Sequence, residues 1–398
     1  MEERSRPLKL FMILIALESL AANLAHPVTP TLLQNLAMPN YMFGVAFAGM
    51  AITNFLFSPF WGKMSDYFSL HSCMLFCLVG YACGQFLFMM AKTQVTVLLA
   101  RMVSGMFTGG ARVISMIYVV EYTHGKKQGQ NLTIMSTLIA VFATFGFLVG
   151  GMLGEISINA VFLAQIIMLA SIGVGYFLIM RHTKDAKKAT IQNARVLIKE
   201  ANPFSAFFAI KPYLTATLVI FFGATLFANI GLNAYDQCFN YYLKDQFGFS
   251  PAYNGVIKAI VGVVSLISNF TICMWILRKT KVLIPTAYVL LGCGISNAVM
   301  IFMPTLGLFL GMAILLFACT AIFQPLLQDI ASRQSNEKNR GVVLGFFNAM
   351  RSLGMVIGAL VAGFLYDFGP KLPFWMACAA FLVATGLMFL YAKKKKTA

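Results

Sequence analysis

The sequence predicts an all-α membrane protein, with twelve transmembrane helices arranged as two six-helix bundles. Three observations predict it. Of its 398 residues, 59% are apolar and 11% charged, with a mean hydropathy of +0.79, where a soluble protein carries about 25% charged residues. Twelve apolar runs each approach the ~20 residues that a helix needs to cross a bilayer. The basic residues between those runs gather on one side. The same composition excludes a disordered chain, which needs low hydrophobicity and high charge.

The runs are 9–33, 41–61, 72–91, 95–119, 131–154, 159–180, 212–236, 252–277, 282–303, 305–330, 341–365 and 372–391. With the N-terminus in the cytoplasm, 23 of the 30 Lys and Arg residues lie on that side, from Arg4 and Arg6 to the four lysines at 393–396. Lys92, Lys244 and Lys371 lie outside, and Arg101, Arg112, Lys258 and Arg351 lie within runs. This is the positive-inside pattern of a multi-pass protein of the cell inner membrane with both termini cytoplasmic. The net charge of +17 then orients the chain and attracts anionic lipid, and is not a nucleic-acid footprint. The first run follows Arg4 and Arg6 as a signal peptide would, but it continues through Pro27 and Pro30 without a cleavage site, so it reads as an uncleaved span. The eight cysteines fall in or beside apolar runs without zinc-type spacing, and read as small buried hydrophobes.

The longest polar interval divides the chain into a bundle over 1–180, a basic cytoplasmic linker over 181–211 and a bundle over 212–398. In the linker Ile191, Ala194, Ile198 and Ala201 share one helical face beside Lys188, Arg195 and Lys199, which fits an interfacial helix or a disordered basic tether. The halves also match. An offset of 211 pairs Gly44-Val45 with Gly255-Val256, and one of 212 pairs Gly146 with Gly358, Gly151 with Gly363, Glu155 with Asp367 and Phe162 with Phe374. A duplicated six-span unit is the parallel-repeat plan of transporters whose site lies at the midplane. There is no G-x-x-x-x-G-K-[ST] phosphate loop and no HExxH or G-x-S-x-G motif. An enzyme is not expected, and uphill transport would need an ion gradient or a counter-solute.

Four motifs carry a family resemblance. Gly62-Lys63-Met64-Ser65-Asp66-Tyr67 follows the second run, where Gly62 would let the chain turn and Asp66 would sit on the dipole of the third helix. Arg101-Met102-Val103-Ser104-Gly105 lies in the fourth run, Gly146-Phe147-Leu148-Val149-Gly150-Gly151 in the fifth, and Pro27-Val28-Thr29-Pro30 in the first. Together they resemble the major facilitator superfamily, specifically its twelve-span drug:proton antiporter branch, over essentially the whole chain. The resemblance implies the major facilitator fold, a cytoplasmic gate at Gly62 and Asp66, proton coupling at Arg101, and a gating role for Gly146, Gly150 and Gly151. Tyr67, Leu70 and His71 replace the basic positions that the family has after Asp66, and Phe147 stands where the antiporter motif has proline. Arg101 also lies shallow enough to snorkel towards the interface.

Ionisable residues at membrane depth are costly and mark function. Glu18 lies about 14 Å into the first span, where an apolar environment makes a carboxylate expensive and a reversible proton carrier feasible. Permanent pairing with Arg112 or Arg351 is the structural alternative. His26, two turns on, can share its proton or simply line the path. Asp236 is the acid of the second half, as a coupling group or a helix cap. Arg351 and Arg112 can receive an anionic substrate or serve as counter-ions to Glu18, and Asn233 and Gln324 can supply polar contacts. The 37 Phe and 24 Met suit packing around varied apolar ligands.

The expected function is proton-coupled efflux of small hydrophobic compounds or drugs by alternating access. The alternative is proton-linked uptake or flipping of an anionic amphiphile such as a lysolipid or organic acid. The expected partners are a small hydrophobic or amphiphilic substrate, protons and membrane lipid, with no cofactor, metal or nucleic acid, and the chain is expected to act as a monomer.

Overall fold

The computed structural model describes residues 5–123, 126–180, 202–278, 282–303, 305–334 and 340–397. The amphipathic face proposed for 188–201 lies outside them.

Among the described residues the regular structure is entirely helical: α1 Ser5–Asn23, α2 Thr29–Asn35, α3 Met42–Tyr67, α4 Leu70–Met90, α5 Gln94–Tyr122, α6 Lys126–Ile156, α7 Ile158–Ile179, the short α8 Ser205–Ala209, α9 Ala216–Phe247 and α10 Pro251–Ser268. A π-helical turn, Asn269–Cys273, joins α10 to α11 Met274–Leu277. There follow α12 Leu283–Ile301, α13 Leu306–Arg333, α14 Arg340–Phe368 and α15 Leu372–Thr397. Eleven of these stretches are long and apolar enough to cross a membrane. The twelfth expected span, 9–33, is the broken pair α1 and α2, since Pro27 and Pro30 cannot donate the backbone hydrogen bonds that would carry one helix through.

Several helices outrun their apolar cores. α9 continues past its apolar run to Phe247, where Gly248 closes it at φ +65°. There Phe249 N–H bonds the Leu243 carbonyl, a left-handed terminator that glycine adopts without steric cost.

The chain forms two compact units. The first comprises Met1–Met38, Gly49–Pro203 and Leu243–Ala259; the second comprises Pro39–Ala48, Phe204–Tyr242 and Ile260–Ala398. In the first, Phe11, Trp61, Met74, Tyr118 and Tyr176 form a buried core, with the Phe11 and Tyr118 rings 4.1 Å apart. In the second, Phe374 packs edge-on against Tyr242 at 5.2 Å, and Phe221 lies parallel to Phe347. All eight cysteines are free thiols, and Cys83 is exposed whereas Cys73, Cys77, Cys238, Cys273, Cys293 and Cys378 are buried.

Candidate functional site

In the first unit the site is built on the break of α1. Ending the helix at Asn23 leaves the Ala21 carbonyl with only the Leu24 N–H at 3.2 Å and the Ala22 carbonyl without its usual donor, and in an apolar medium an unmet carbonyl costs several kcal/mol. Two side chains from other helices supply the donors. Gln165 of α7, fully buried, gives its amide N–H groups to Ala21 O at 2.9 Å and Ala22 O at 3.1 Å. The Tyr81 hydroxyl of α4 donates to Ala22 O at 3.2 Å. The break is thereby fixed in place.

One turn before it, Glu18 accepts a 2.7 Å hydrogen bond on Oε2 from the hydroxyl of Tyr176, which is itself fully buried. Among the described residues Glu18 forms no ion pair. Arg112, the expected counter-ion, has an exposed side chain. Ser19 beside it donates to the Ile139 carbonyl of α6 at 2.6 Å.

Arg101 is turned inward and only 6% exposed, so it does not snorkel. Its Nη2 donates to Thr29 Oγ1 at 3.1 Å, its guanidinium lies 3.9 Å over the Phe88 ring, and its Nε has no hydrogen-bond acceptor. The Thr29 hydroxyl in turn donates to the Ala25 carbonyl at 2.8 Å, which ties the arginine to the break. His26 lies within the break, its ring stacked on Phe147 at 5.4 Å.

The second unit carries a neutral polar core. Along α9, Thr225 donates to Phe221 O, Asn229 to Thr225 O and Asn233 to Asn229 O, each four residues back. Gln324 of α13 donates to Asn229 Oδ1 at 2.8 Å. Arg351 is half-buried, 5.8 Å from the Phe347 ring. Asp236 sits inside α9 rather than at its end, so it caps nothing; its backbone carbonyl accepts from Asn240 Nδ2.

A family model described as the Major Facilitator Superfamily matches residues 11–306 and 238–398. The chain belongs to this superfamily. It is similar to Multidrug resistance protein 1 of Bacillus subtilis, with 24% identity over 97% of this chain and 96% of that one. It is also similar to the class B tetracycline resistance protein of Escherichia coli, with 25% identity over 92% of this chain and 90% of that one. Among solved structures, the nucleoside transporter NupG matches with a TM-score of 0.75 at 15% identity, covering 97% of this chain and 99% of that one. That last likeness concerns the fold alone. The protein is thus a membrane transporter of the major facilitator fold, with multidrug and tetracycline resistance proteins among its relatives.

Within this superfamily member, three glycines of α6, Gly146, Gly150 and Gly151, meet backbone. A methyl at Gly146 would run into the carbonyl of Leu20 on α1, one at Gly150 into that of Leu24 just beyond its end, and one at Gly151 would lie 2.6 Å from the Pro251 carbonyl. Small residues there let helices approach at backbone distance. The expected turn at Gly62 is absent, because α3 runs on through it to Tyr67. Asp66 accordingly lies at the C-terminal end of α3, not on the N-terminus of the next helix, where Ser69 is the cap. It forms an exposed pair with Lys63 at 3.5 Å. Helix propensity in Lys63–Met64–Ser65 carries the helix beyond its apolar run, which is why the motif reads as a loop in sequence.

Tyr176, Gln165, Tyr81 and Asn229 were not marked by the sequence. Each is a single polar group on an apolar helix. Gln165 and Tyr176 lie eleven residues apart, three helical turns, so they share a face of α7, but many aromatic and amide residues in this chain do the same.

Proposed function

We propose that the protein is a secondary transporter that exports small hydrophobic compounds in exchange for protons, by alternating access. The observation that carries this reading is Glu18, a carboxyl deep in a span with one hydrogen bond, from Tyr176, and no ion pair among the described residues. A carboxyl so placed can lose and regain a proton without breaking a salt bridge, and Tyr176 holds it in one position. Arg101 is the complementary charge next to the break, and His26 and Asp236 are the further coupling groups. Arg112, Arg351, Asn233 and Gln324 are assigned to substrate contact. Gly62 and Asp66 are assigned to the cytoplasmic gate, and Gly146, Gly150 and Gly151 to the sliding contact of α6. The resistance proteins similar to this chain support export of drug-like compounds.

In proteoliposomes with an imposed pH gradient, Glu18→Gln is expected to abolish uphill transport while leaving ligand binding and the melting temperature near wild type. Full uphill activity in a stable Glu18→Gln protein would remove Glu18 from the mechanism. The proposed setting is the cell inner membrane, with both termini and the 181–211 linker in the cytoplasm. A cysteine at exposed Gln94 should then react with an impermeant maleimide in intact cells, and one at Lys394 only after permeabilisation.

Uptake or flipping of an anionic amphiphile is a second reading, favoured by one observation. Arg101, buried and with Nε lacking an acceptor, pairs with no carboxylate among the described residues.

A further inference from the structure

Glu18 and Arg112 stand at one level of the first unit, although no salt bridge joins them. Two contacts fix the register of the segments that carry them. The Phe11 and Tyr118 rings meet at 4.1 Å, and Arg101 Nη2 reaches Thr29 Oγ1 at 3.1 Å. Thr29 follows Phe11 in the sequence whereas Arg101 precedes Tyr118 by almost the same interval, so the first span runs antiparallel to α5. Glu18, two helical turns after Phe11, therefore comes level with Ala111 and Arg112, two turns before Tyr118. The carboxyl and the guanidinium lie within reach of each other's charge, and both belong to the first unit.

Arg112 sits about 15 Å from the end of α5 at Tyr122, at 1.5 Å per residue, inside a stretch apolar enough to span a membrane. Its side chain is exposed, and among the described residues it makes no hydrogen bond and no ion pair. An arginine at that depth is too costly to turn towards hydrocarbon, so its exposed side belongs to a path that water and ligands enter.

The other groups around Glu18 are uncharged or lie further along. Tyr176 of α7 donates to Oε2 at 2.7 Å, and Tyr81 and Cys77 of α4 face the same carboxyl. From α6 the Ile139 carbonyl meets this turn and takes the Ser19 hydroxyl. His26 and Arg101 stand at the break, two turns or more beyond.

Net charge is costly where water is scarce, and this pair can reach neutrality in two ways. With Glu18 ionised, carboxylate and guanidinium offset each other. With Glu18 protonated, Arg112 is left positive and an incoming anion offsets it. An anion on Arg112 beside an ionised Glu18 meets a like charge instead. Proton and anion therefore favour each other's binding, and linkage makes the preference mutual.

We propose that Arg112 binds the anionic head of a lipophilic substrate and that Glu18 takes up a proton as it does so. The inference rests on the second transporter reading above and gives it a coupling sign: lipophilic monoanions, carboxylates or sulfonates, cross together with a proton and not in exchange for one.

The test uses the full-length protein in nanodiscs, with empty nanodiscs subtracting partition into lipid. The probe is naphthalenesulfonate, anionic at every pH used, beside its uncharged amide, naphthalenesulfonamide. Calorimetric titration at pH 7 in two buffers of different ionisation enthalpy counts the protons taken up per sulfonate bound. Wild type is expected to take up a measurable fraction of a proton, at most about one, and to bind sulfonate about tenfold more tightly at pH 6 than at pH 8.5. The amide should show neither effect. Glu18→Gln should bind sulfonate at pH 8.5 as tightly as wild type does at pH 6, with no proton uptake. Arg112→Gln should lose most of the sulfonate affinity with amide affinity unchanged, and Arg112→Lys should keep part of the sulfonate affinity and its proton uptake. No proton uptake in wild type, or uptake that persists in Glu18→Gln, overturns the proposal. So does sulfonate affinity that survives Arg112→Gln, above all if it falls in Arg101→Gln or Arg351→Gln instead. The wild-type proton count needs no variant, and Arg112→Met, of similar length, replaces Arg112→Gln should that protein fail to fold. Uphill transport of a neutral hydrophobic dye in exchange for protons is scored separately. Dye exchange without proton-linked sulfonate binding ends this inference and leaves the export reading standing, and proton-linked binding without dye exchange does the reverse.

Discussion

Counting 211 residues on from Glu18, the offset that pairs Gly44 with Gly255, arrives at Asn229, and the two positions differ in what they can do. Glu18 is titratable and stands beside a broken helix, held by Tyr176. Asn229 is uncharged at every pH and stands within the unbroken α9, where a ladder of four-residue back-bonds and Gln324 use its amide. The first unit has prolines at 27 and 30; the corresponding stretch of α9 has none, and no carbonyl there is released for a partner. At these two positions, then, Glu18 can change charge, whereas Asn229 presents only neutral donors and acceptors. Such a division suits exchange, because a proton and a substrate need sites that respond to different things.

The contrast makes the largest predicted effect a qualitative one. Where Glu18→Gln removes proton-driven accumulation, Asn229→Leu should leave the pH dependence of transport intact and raise KM for substrate, since it strips Gln324 of its acceptor. A loss of coupling in Asn229→Leu equal to that in Glu18→Gln would erase the distinction between the units. Initial rates at several imposed pH gradients, measured for both variants, separate the two outcomes.

How much of this was legible beforehand depends on the kind of signal. The spans were, because ~20 apolar residues in a row leave little else for the backbone to do. Glu18 and Arg101 stood out as isolated charges in apolar runs, and Pro27 and Pro30 marked the bend. The partners did not stand out. Tyr176 reaches Glu18 across 158 residues of sequence, and Gln165 reaches Ala21 across 144; nothing local in their own helix distinguishes them from residues that only pack. Helix ends are less legible where polar but helix-compatible residues follow an apolar run, as at Asp236–Asn240–Lys244 in α9 and at Lys63–Asp66 in α3. Hydropathy reports the membrane, whereas the helix stops at its terminator, Gly248 in the first case. The segment memberships of Pro39–Ala48 and Leu243–Ala259 had no sequence signal at all beyond the glycines Gly44 and Gly255.

A smaller, graded effect distinguishes a glycine pressed against backbone from one with open space beside it. At Gly150 a methyl would strike the Leu24 carbonyl, whereas at Gly345 on α14 it would meet nothing within 4 Å. Gly150→Ala is expected to destabilise by about 1–3 kcal/mol, as overpacking does, because backbone cannot move aside as a side chain would. Gly345→Ala should stabilise by about 0.5–1 kcal/mol through the reduced freedom of the unfolded chain. Melting temperatures in one detergent, falling for the first and rising slightly for the second, check the pair. A tolerated Gly150→Ala would mean that α1 and α6 are less closely joined at the break than their backbones imply.

The smallest expected effect on stability is at Asp66, and its smallness is what makes it useful. Its partner Lys63 is exposed and so is Asp66, 37% and 61% respectively, and such pairs contribute about 0–1 kcal/mol. Against that stands its place at the C-terminal end of α3, where a carboxylate opposes the helix dipole by a similar amount, about 0.3–1 kcal/mol. The two nearly cancel, so Asp66→Asn should leave the melting temperature unchanged to within a degree or two. A residue that contributes nothing to this resting structure can still matter in another state of the transport cycle, and the superfamily motif around it is the reason to look. We expect Asp66→Asn to lower turnover with substrate affinity unaffected, because a gate acts on the rate of conversion between states and not on the binding site. Lys63→Gln is the control. If it slows transport as much as Asp66→Asn, the pair itself is what matters. If only Asp66→Asn slows transport, the carboxylate has a partner in the cycle that this conformation does not show. Wild-type turnover in Asp66→Asn would leave the gate assignment without support.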